Sequence, residues 1–153
     1  MKATATQRVL SFRNSISWSS ARRGTMTNTE HQPVEIGSPP EFKGTPDVWC
    51  PEELFIGAVS TCLMLTFLSF AERRQIAISG YESVAEGIVE NSDGRYRVTR
   101  IEVRPVVSLS QENEVVPAHE VFKEAKEACI ISNSVIAQVD LVPQFKVLVP
   151  VRA

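Results

Sequence analysis

Two periodicities divide this chain. Early on, Leu10, Phe12, Ile16 and Trp18 take one face of an alternating pattern and Ser11, Arg13, Ser15, Ser17 and Ser19 the other. A period of two describes a half-buried strand, because successive side chains point to opposite sides. Arg22-Arg23-Gly24 predicts a turn into a second strand over residues 25–29, so a hairpin opens the fold. Alternation returns over residues 81–90 and 96–109, either side of the turn signal Asn91-Ser92-Asp93-Gly94. In the second of these, Ile101, Val103, Pro105, Val107 and Leu109 form the inward set against Arg100, Glu102, Arg104 and Ser108. A last strand puts Phe145, Val147 and Val149 on one side. Pro33, Pro39, Pro40, Pro46 and Pro51 keep the stretch between extended or looped, with Val34 and Ile36 sharing a face of a short strand.

The other periodicity is helical. Pro51 suits a first helical turn, Glu52 and Glu53 complement the positive end of the dipole, and the helix is predicted to run to about Arg74, before Gly80. Its uncharged part, residues 54–71, sits at the lower edge of what could span a bilayer, but basic residues flank one end only and no aromatic belt marks both interfaces. A central helix buried all round by its own protein is the better reading, with no membrane. Phe55, Ala58, Val59, Cys62, Leu65 and Thr66 share a face by three- and four-residue spacing. A second helix is predicted from Pro117, with Val121, Phe122, Ala125, Ala128 and Cys129 inward and Glu120, Lys123, Glu124, Lys126 and Glu127 outward. Strands, helix, strands, helix, strand, with hairpins rather than regular alternation, predict an α+β fold with largely antiparallel sheets, as one domain over residues 1–153.

Composition narrows the function. The chain has 153 residues, ordinary apolar and charged fractions, and a formal net charge of −2. A basic stripe that could neutralise phosphates is missing, so nucleic acid is not an expected partner. Lys2, Arg8, Arg13, Arg22 and Arg23 among many serines, with no acid before Glu30, would also suit an organelle transit peptide. The alternation favours a strand of the mature sheet. Three cysteines without a CxxC pair suggest neither a disulfide scaffold nor zinc, and fit a reducing cytosol. His119 reads as an exposed first-turn residue, and Trp18 and Trp49 as packing residues.

Two cysteines carry the candidate chemistry. Cys62 lies in the longest apolar run and Cys129 ends a charged helix, so two thiols in separate amphipathic segments could meet and exchange electrons, although buried cysteines by default only pack. A mid-helix thiolate is desolvated and needs a cation or hydrogen-bond donors to hold it. Pro51-Glu52-Glu53-Leu54-Phe55, the ten residues from Glu52 to Cys62, and Ala128-Cys129-Ile130-Ile131-Ser132-Asn133 resemble the OsmC/Ohr peroxidase family across nearly the whole chain. The resemblance implies that Cys62 attacks a hydroperoxide, that Cys129 resolves the sulfenic acid as a disulfide, and that Glu52 orients an arginine partner of the thiolate. Arg23 stands at the arginine position, with Arg22 adjacent. It further implies an intertwined homodimer with sites at the interface, an external dithiol reductant, and no metal or prosthetic cofactor.

Helix arithmetic bears on that scheme. In one continuous helix Glu52 and Cys62 lie roughly 15 Å apart along the axis, so Glu52 would act across a two-fold interface or the helix would break. Thr45-Pro46-Asp47-Val48-Trp49-Cys50 departs from the Gly-Thr-Asn of the hydroperoxide-resistance branch, which indicates a general OsmC-like member. Cys50 reads as a spectator, the alternative being exchange with Cys62. The competing functional reading is a non-catalytic member that binds a small hydrophobic ligand in the dimer cleft, with a stress-related interaction module behind it.

Overall fold

The structure is a computed structural model and describes residues 8–148. The chain divides into two compact units, one up to Pro51 and one from Glu52 onward. The first holds a three-stranded antiparallel sheet in the order β1 (Ser15–Ser20), β2 (Arg23–Thr27), β3 (Val34–Gly37). Ser20 pairs with Arg23, so Ala21 and Arg22 alone make the turn and β2 begins two residues before its expected start. Ala21 adopts φ 44°, and the Trp18 indole N–H donates to its carbonyl at 3.0 Å. Leu10 and Phe12 lie outside the strand, and every residue of β1 is exposed, Trp18 at 77%. The strand exists, but the half-buried face expected of it is uncovered in this chain. Gly37 N–H donates to the Trp49 carbonyl at 3.0 Å and ties the proline-rich stretch to β3.

The second unit opens with α1 (Pro51–Arg73), a single unbroken helix. Two long strands, β4 (Ile78–Ser92) and β5 (Arg95–Leu109), pair antiparallel along their length. Asp93 and Gly94, both at positive φ, close the hairpin, as the turn signal predicts. After a 3-10 turn at Glu112–Glu114 comes α2 (Val115–Ala128). It starts before Pro117 because the Glu114 carboxylate reaches back to the Gln111 N–H at 3.1 Å and caps the turn. Pro117 still falls in the first turn, where its missing N–H costs nothing.

Two short strands finish the sheet: β6 (Gln138–Leu141), which the hydropathy pattern did not predict, and β7 (Gln144–Val147). Both pair parallel to β5, β6 beside Arg100 to Val103 and β7 beside Val106 to Leu109. The second sheet is therefore mixed, because the return through α2 is a crossover that brings the chain back in the same direction. Val149 lies outside the described residues.

The inward set of β5 is buried as expected, and both helices cover it. Phe67 and Ala71 of α1 and Ala118, Val121, Phe122 and Ala125 of α2 pack on Val107 and Leu109. Val59 and Leu63 of α1, with Cys129, pack on Ile101 and Val103. Close approach is required at Gly87 of β4, where a Cβ would stand 2.4 Å from the Ile56 side chain of α1. On the opposite face Arg100 and Arg104 pair with Asp140, Glu102 and Glu86. One expectation needs correcting: α1 is not buried all round. It buries the stripe Val59, Leu63, Phe67 and Ala71, while Phe55, Ala58 and Leu65 stay exposed, because one sheet face covers only one side of a helix. Ala128, the last residue of α2, is also exposed.

Candidate active site

Cys62 sits midway along α1, half-buried, next to the stripe that packs on β5. Thr66 lies one turn further on, so its hydroxyl can reach back to the Cys62 sulfur. Cys129 follows the last residue of α2 and is fully buried; with φ −68° and ψ 111° it leaves the helix in an extended conformation. The chain then turns sharply. Asn133 N–H donates to the Cys129 carbonyl and Ser134 N–H to the Ile131 carbonyl, both at 3.0 Å. The Asn133 amide caps the Glu127 carbonyl at 2.7 Å, and the Ser134 hydroxyl bonds the Ile130 carbonyl at 2.8 Å. These bonds fold Ile130-Ile131-Ser132 back beside the sulfurs. Cys129 Sγ accepts from the Ser132 hydroxyl at 3.1 Å and from the Ser132 N–H at 3.5 Å.

The two thiols, both free, are neighbours in the cluster around Val59, Leu63, Ile101 and Val103, and each shifts the other's acidity. Burial pushes each upward, since an anion loses hydration. At Cys62 this is outweighed by donation from the Ile131 N–H, the Cys129 thiol, the Thr66 hydroxyl and the Ile130 N–H, which hold it below the ordinary thiol range. At Cys129 burial prevails over the Ser132 donors, and the neighbouring Cys62 adds to the rise. The pair is thus polarised, with Cys62 the readier thiolate.

The arginines belong to the first unit. Arg23 engages Asp47 through two bonds, Nη2 to Oδ2 at 2.8 Å and Nη1 to Oδ1 at 3.4 Å, with Glu35 at 3.8 Å. The Thr45 hydroxyl and then Arg23 hold the Asp47 carboxyl below its usual range. Arg22 donates instead to the Phe42 carbonyl. Ile16, Trp18, Ile36 and Pro51 line an apolar hollow beside Arg23. Cys50 is buried and forms no disulfide.

Glu52 is the second residue of α1, and its Oε2 is shut off from solvent with no hydrogen-bond partner among the described residues. Because α1 is continuous, about 15 Å of helix separates Glu52 from the Cys62 of its own chain. The structure therefore brings Cys62 and Cys129 together and leaves Glu52 remote from them. Sequence reasoning gave no role to Thr66 or Ser132. Thr66 was visible as the residue four after Cys62, and Ser132 as the hydroxyl three after Cys129. The backbone donors of Ile130 and Ile131 carry no signal in residue identity.

Comparison with known proteins agrees with this architecture. The fold matches, with a TM-score of 0.77 and 25% identity over 87% of this chain and 99% of the other, an OsmC-like protein of unknown function from Vibrio cholerae. A protein from Legionella pneumophila described as an organic hydroperoxide resistance protein OsmC matches at TM-score 0.65 and 18% identity, over 89% of this chain and 98% of its own. The uncharacterized protein YmaD of Bacillus subtilis (strain 168) is 30% identical over 111 residues, 71% of this chain and 74% of that protein. Residues 44–142 match the family of OsmC-like proteins, a span that holds α1, both paired thiols and the β4–β5 hairpin. The chain belongs to the OsmC family.

Proposed function

We propose that this protein is a thiol peroxidase that reduces organic hydroperoxides to alcohols in oxidative stress defence. The observation that carries the reading is that Cys62 and Cys129 are neighbours in one core cluster, with Cys62 held below and Cys129 above the ordinary thiol range. A family with members named for organic hydroperoxide resistance supports it. In the reaction the Cys62 thiolate attacks the terminal peroxide oxygen, the O–O bond breaks, and the alkoxide leaves as the alcohol after taking a proton. Cys62 is left as a sulfenic acid. Cys129 attacks its sulfur, the S–O bond breaks, and water departs as the Cys62–Cys129 disulfide forms. An external dithiol then reduces that disulfide and is itself oxidised.

Arg23 is the proposed cationic partner of the Cys62 thiolate. Asp47 occupies two of its five N–H donors and leaves the rest for a sulfur or peroxide oxygen. The apolar hollow beside it favours an alkyl substituent on the peroxide. Glu52 is proposed to serve a partner copy's site, since its own Cys62 is out of reach along α1 and one of its oxygens is shut off without a partner among the described residues. That arrangement needs a homodimer.

The test is a peroxide titration of purified protein with thiol counting. Wild type loses two thiols per chain, Cys62→Ser loses none to peroxide turnover, and Cys129→Ser consumes about one equivalent and stalls as a trapped sulfenic acid. Equal residual multi-turnover activity in both variants overturns the reading. Arg23→Ala is expected to raise the pH at which Cys62 is alkylated and Arg22→Ala to leave it in place; no shift in either removes the arginine from the mechanism. The competing reading, a non-catalytic protein binding a small hydrophobic ligand, is the outcome if peroxide consumes neither thiol.

A further inference from the structure

We propose that Ser132 is the group that prepares Cys129 to resolve the sulfenic acid, by donating its hydroxyl hydrogen to the Cys129 sulfur as the thiolate forms. This rests on the peroxidase reading for its place in the reaction, but the contact itself is independent of it. Cys129 is fully buried among Val59, Leu63, Ile101, Val103 and Val139, an apolar setting in which a thiolate finds almost no solvation. Ser132 supplies two donors to that one sulfur, the hydroxyl at 3.1 Å and the N–H at 3.5 Å. The geometry is built by the chain around it. Asn133 and Ser134 pin the turn through four hydrogen bonds to Glu127, Cys129, Ile130 and Ile131, so Ser132 reaches the sulfur without having to be ordered at the moment of reaction.

The chemistry needs such a donor at this step. Before oxidation, burial and the neighbouring Cys62 sulfur hold the Cys129 thiol above its ordinary range. Once Cys62 carries the hydroxyl of the sulfenic acid, Cys129 must lose its proton, attack sulfur and expel that oxygen as water. The proton from Cys129 balances the departing hydroxide, one S–S bond replaces one S–O bond, and Cys129 sulfur is oxidised while Cys62 sulfur is reduced. Only the thiolate attacks, so whatever stabilises it in the buried state sets the rate. The Ser132 hydroxyl, unlike the fixed N–H, can also turn away and leave the thiol protonated in the resting enzyme.

A hydrogen bond to an ionised group is worth about one to two pK units. Its loss lowers the thiolate fraction at neutral pH about tenfold per unit, and the gain in intrinsic nucleophilicity returns roughly half of that on a logarithmic scale. Ser132→Ala should therefore slow resolution about three- to tenfold at neutral pH while leaving the first oxidation of Cys62 unchanged. Ser132→Thr, which keeps a hydroxyl, should restore most of the rate.

Two measurements decide it. In a Cys62→Ser background, where no peroxide chemistry can intervene, alkylation of the Cys129 peptide is followed by mass spectrometry against pH, which separates it from Cys50. The proposal expects the midpoint to rise in Ser132→Ala and to stay near its starting value in Ser132→Thr. An unchanged midpoint in Ser132→Ala, or equal shifts in both variants, overturns it. In the protein with all cysteines present, a sulfenic-acid trap then reads the lifetime of the Cys62 intermediate, expected to lengthen in Ser132→Ala with its rate of formation unaltered. Equal slowing of formation and resolution would indicate a structural defect and refute the assignment. Failure of wild-type Cys62 to react with peroxide would sink the peroxidase reading, while the Cys129 titration would still decide the Ser132 contact.

Discussion

At the scale of single residues, the paired thiols differ by what donates to them. Cys62 receives two backbone N–H groups, a hydroxyl and a thiol, and sits below the ordinary thiol range; Cys129, more deeply buried, sits above it. Alkylation follows the thiolate, so as pH rises Cys62 should react first and Cys129 last, with Cys62 losing about tenfold in rate per pH unit only below its lowered pKa. Thr66→Val keeps the shape and removes one donor, and is expected to move the Cys62 midpoint upward by roughly a pK unit or less. A pH series of alkylation read by peptide mass checks both statements, and a Cys62 midpoint at or above that of Cys129 would contradict them. The position of Cys62 on an apolar helix was legible from spacing. Its acidity was not, because two of its donors are backbone groups whose direction is set by the turn after Cys129.

At the scale of elements, the second unit depends on helices laid across β5. Phe122 of α2 stacks on Phe67 of α1, with ring centroids 3.8 Å apart and planes 12° from parallel, over Val107 and Leu109. Phe122→Ala removes a fully buried ring that neighbours cannot replace, and should cost about 3–5 kcal/mol in denaturant unfolding. Val116→Ala, on the same helix but 72% exposed, should stay within about 0.5 kcal/mol of wild type. Similar losses for the two would mean that α2 does not pack as described. Both helices, the β4–β5 hairpin and the buried face of β5 were readable as periods of 3.6 and two. The strand β6 was not, since four residues hold too few repeats to show a period, and parallel pairing to β5 depends on where α2 returns the chain.

At the scale of the whole molecule, the exposed stripe of α1 is the feature left to explain. Phe55, Ala58 and Leu65 face outward at three- and four-residue spacing, opposite Val59, Leu63, Phe67 and Ala71. The proposed homodimer would cover such surface and give Glu52 a thiol to serve. Light scattering over a dilution series should report a dimer down to micromolar concentration, and Leu65→Glu should shift the population toward monomer. A well-folded wild-type monomer at those concentrations would defeat the dimer and with it the role given to Glu52.

What was legible in the chain alone is what repeats locally. Alternation placed the long strands and the inward face of β5, the dipole and proline signals started α1, and the spacing of Glu52 and Cys62 already set them about 15 Å apart on one helix. Residue identity also marked Cys62 and Cys129 as two thiols that could meet. Their meeting belongs to tertiary structure, because α1 and the end of α2 come together only by packing on the same face of β5, far apart in sequence. So do the parallel strands, the bare side of α1 and the donors around each sulfur. Local periodicity records which side of an element is apolar, but not which neighbour covers it or where a turn aims its N–H groups.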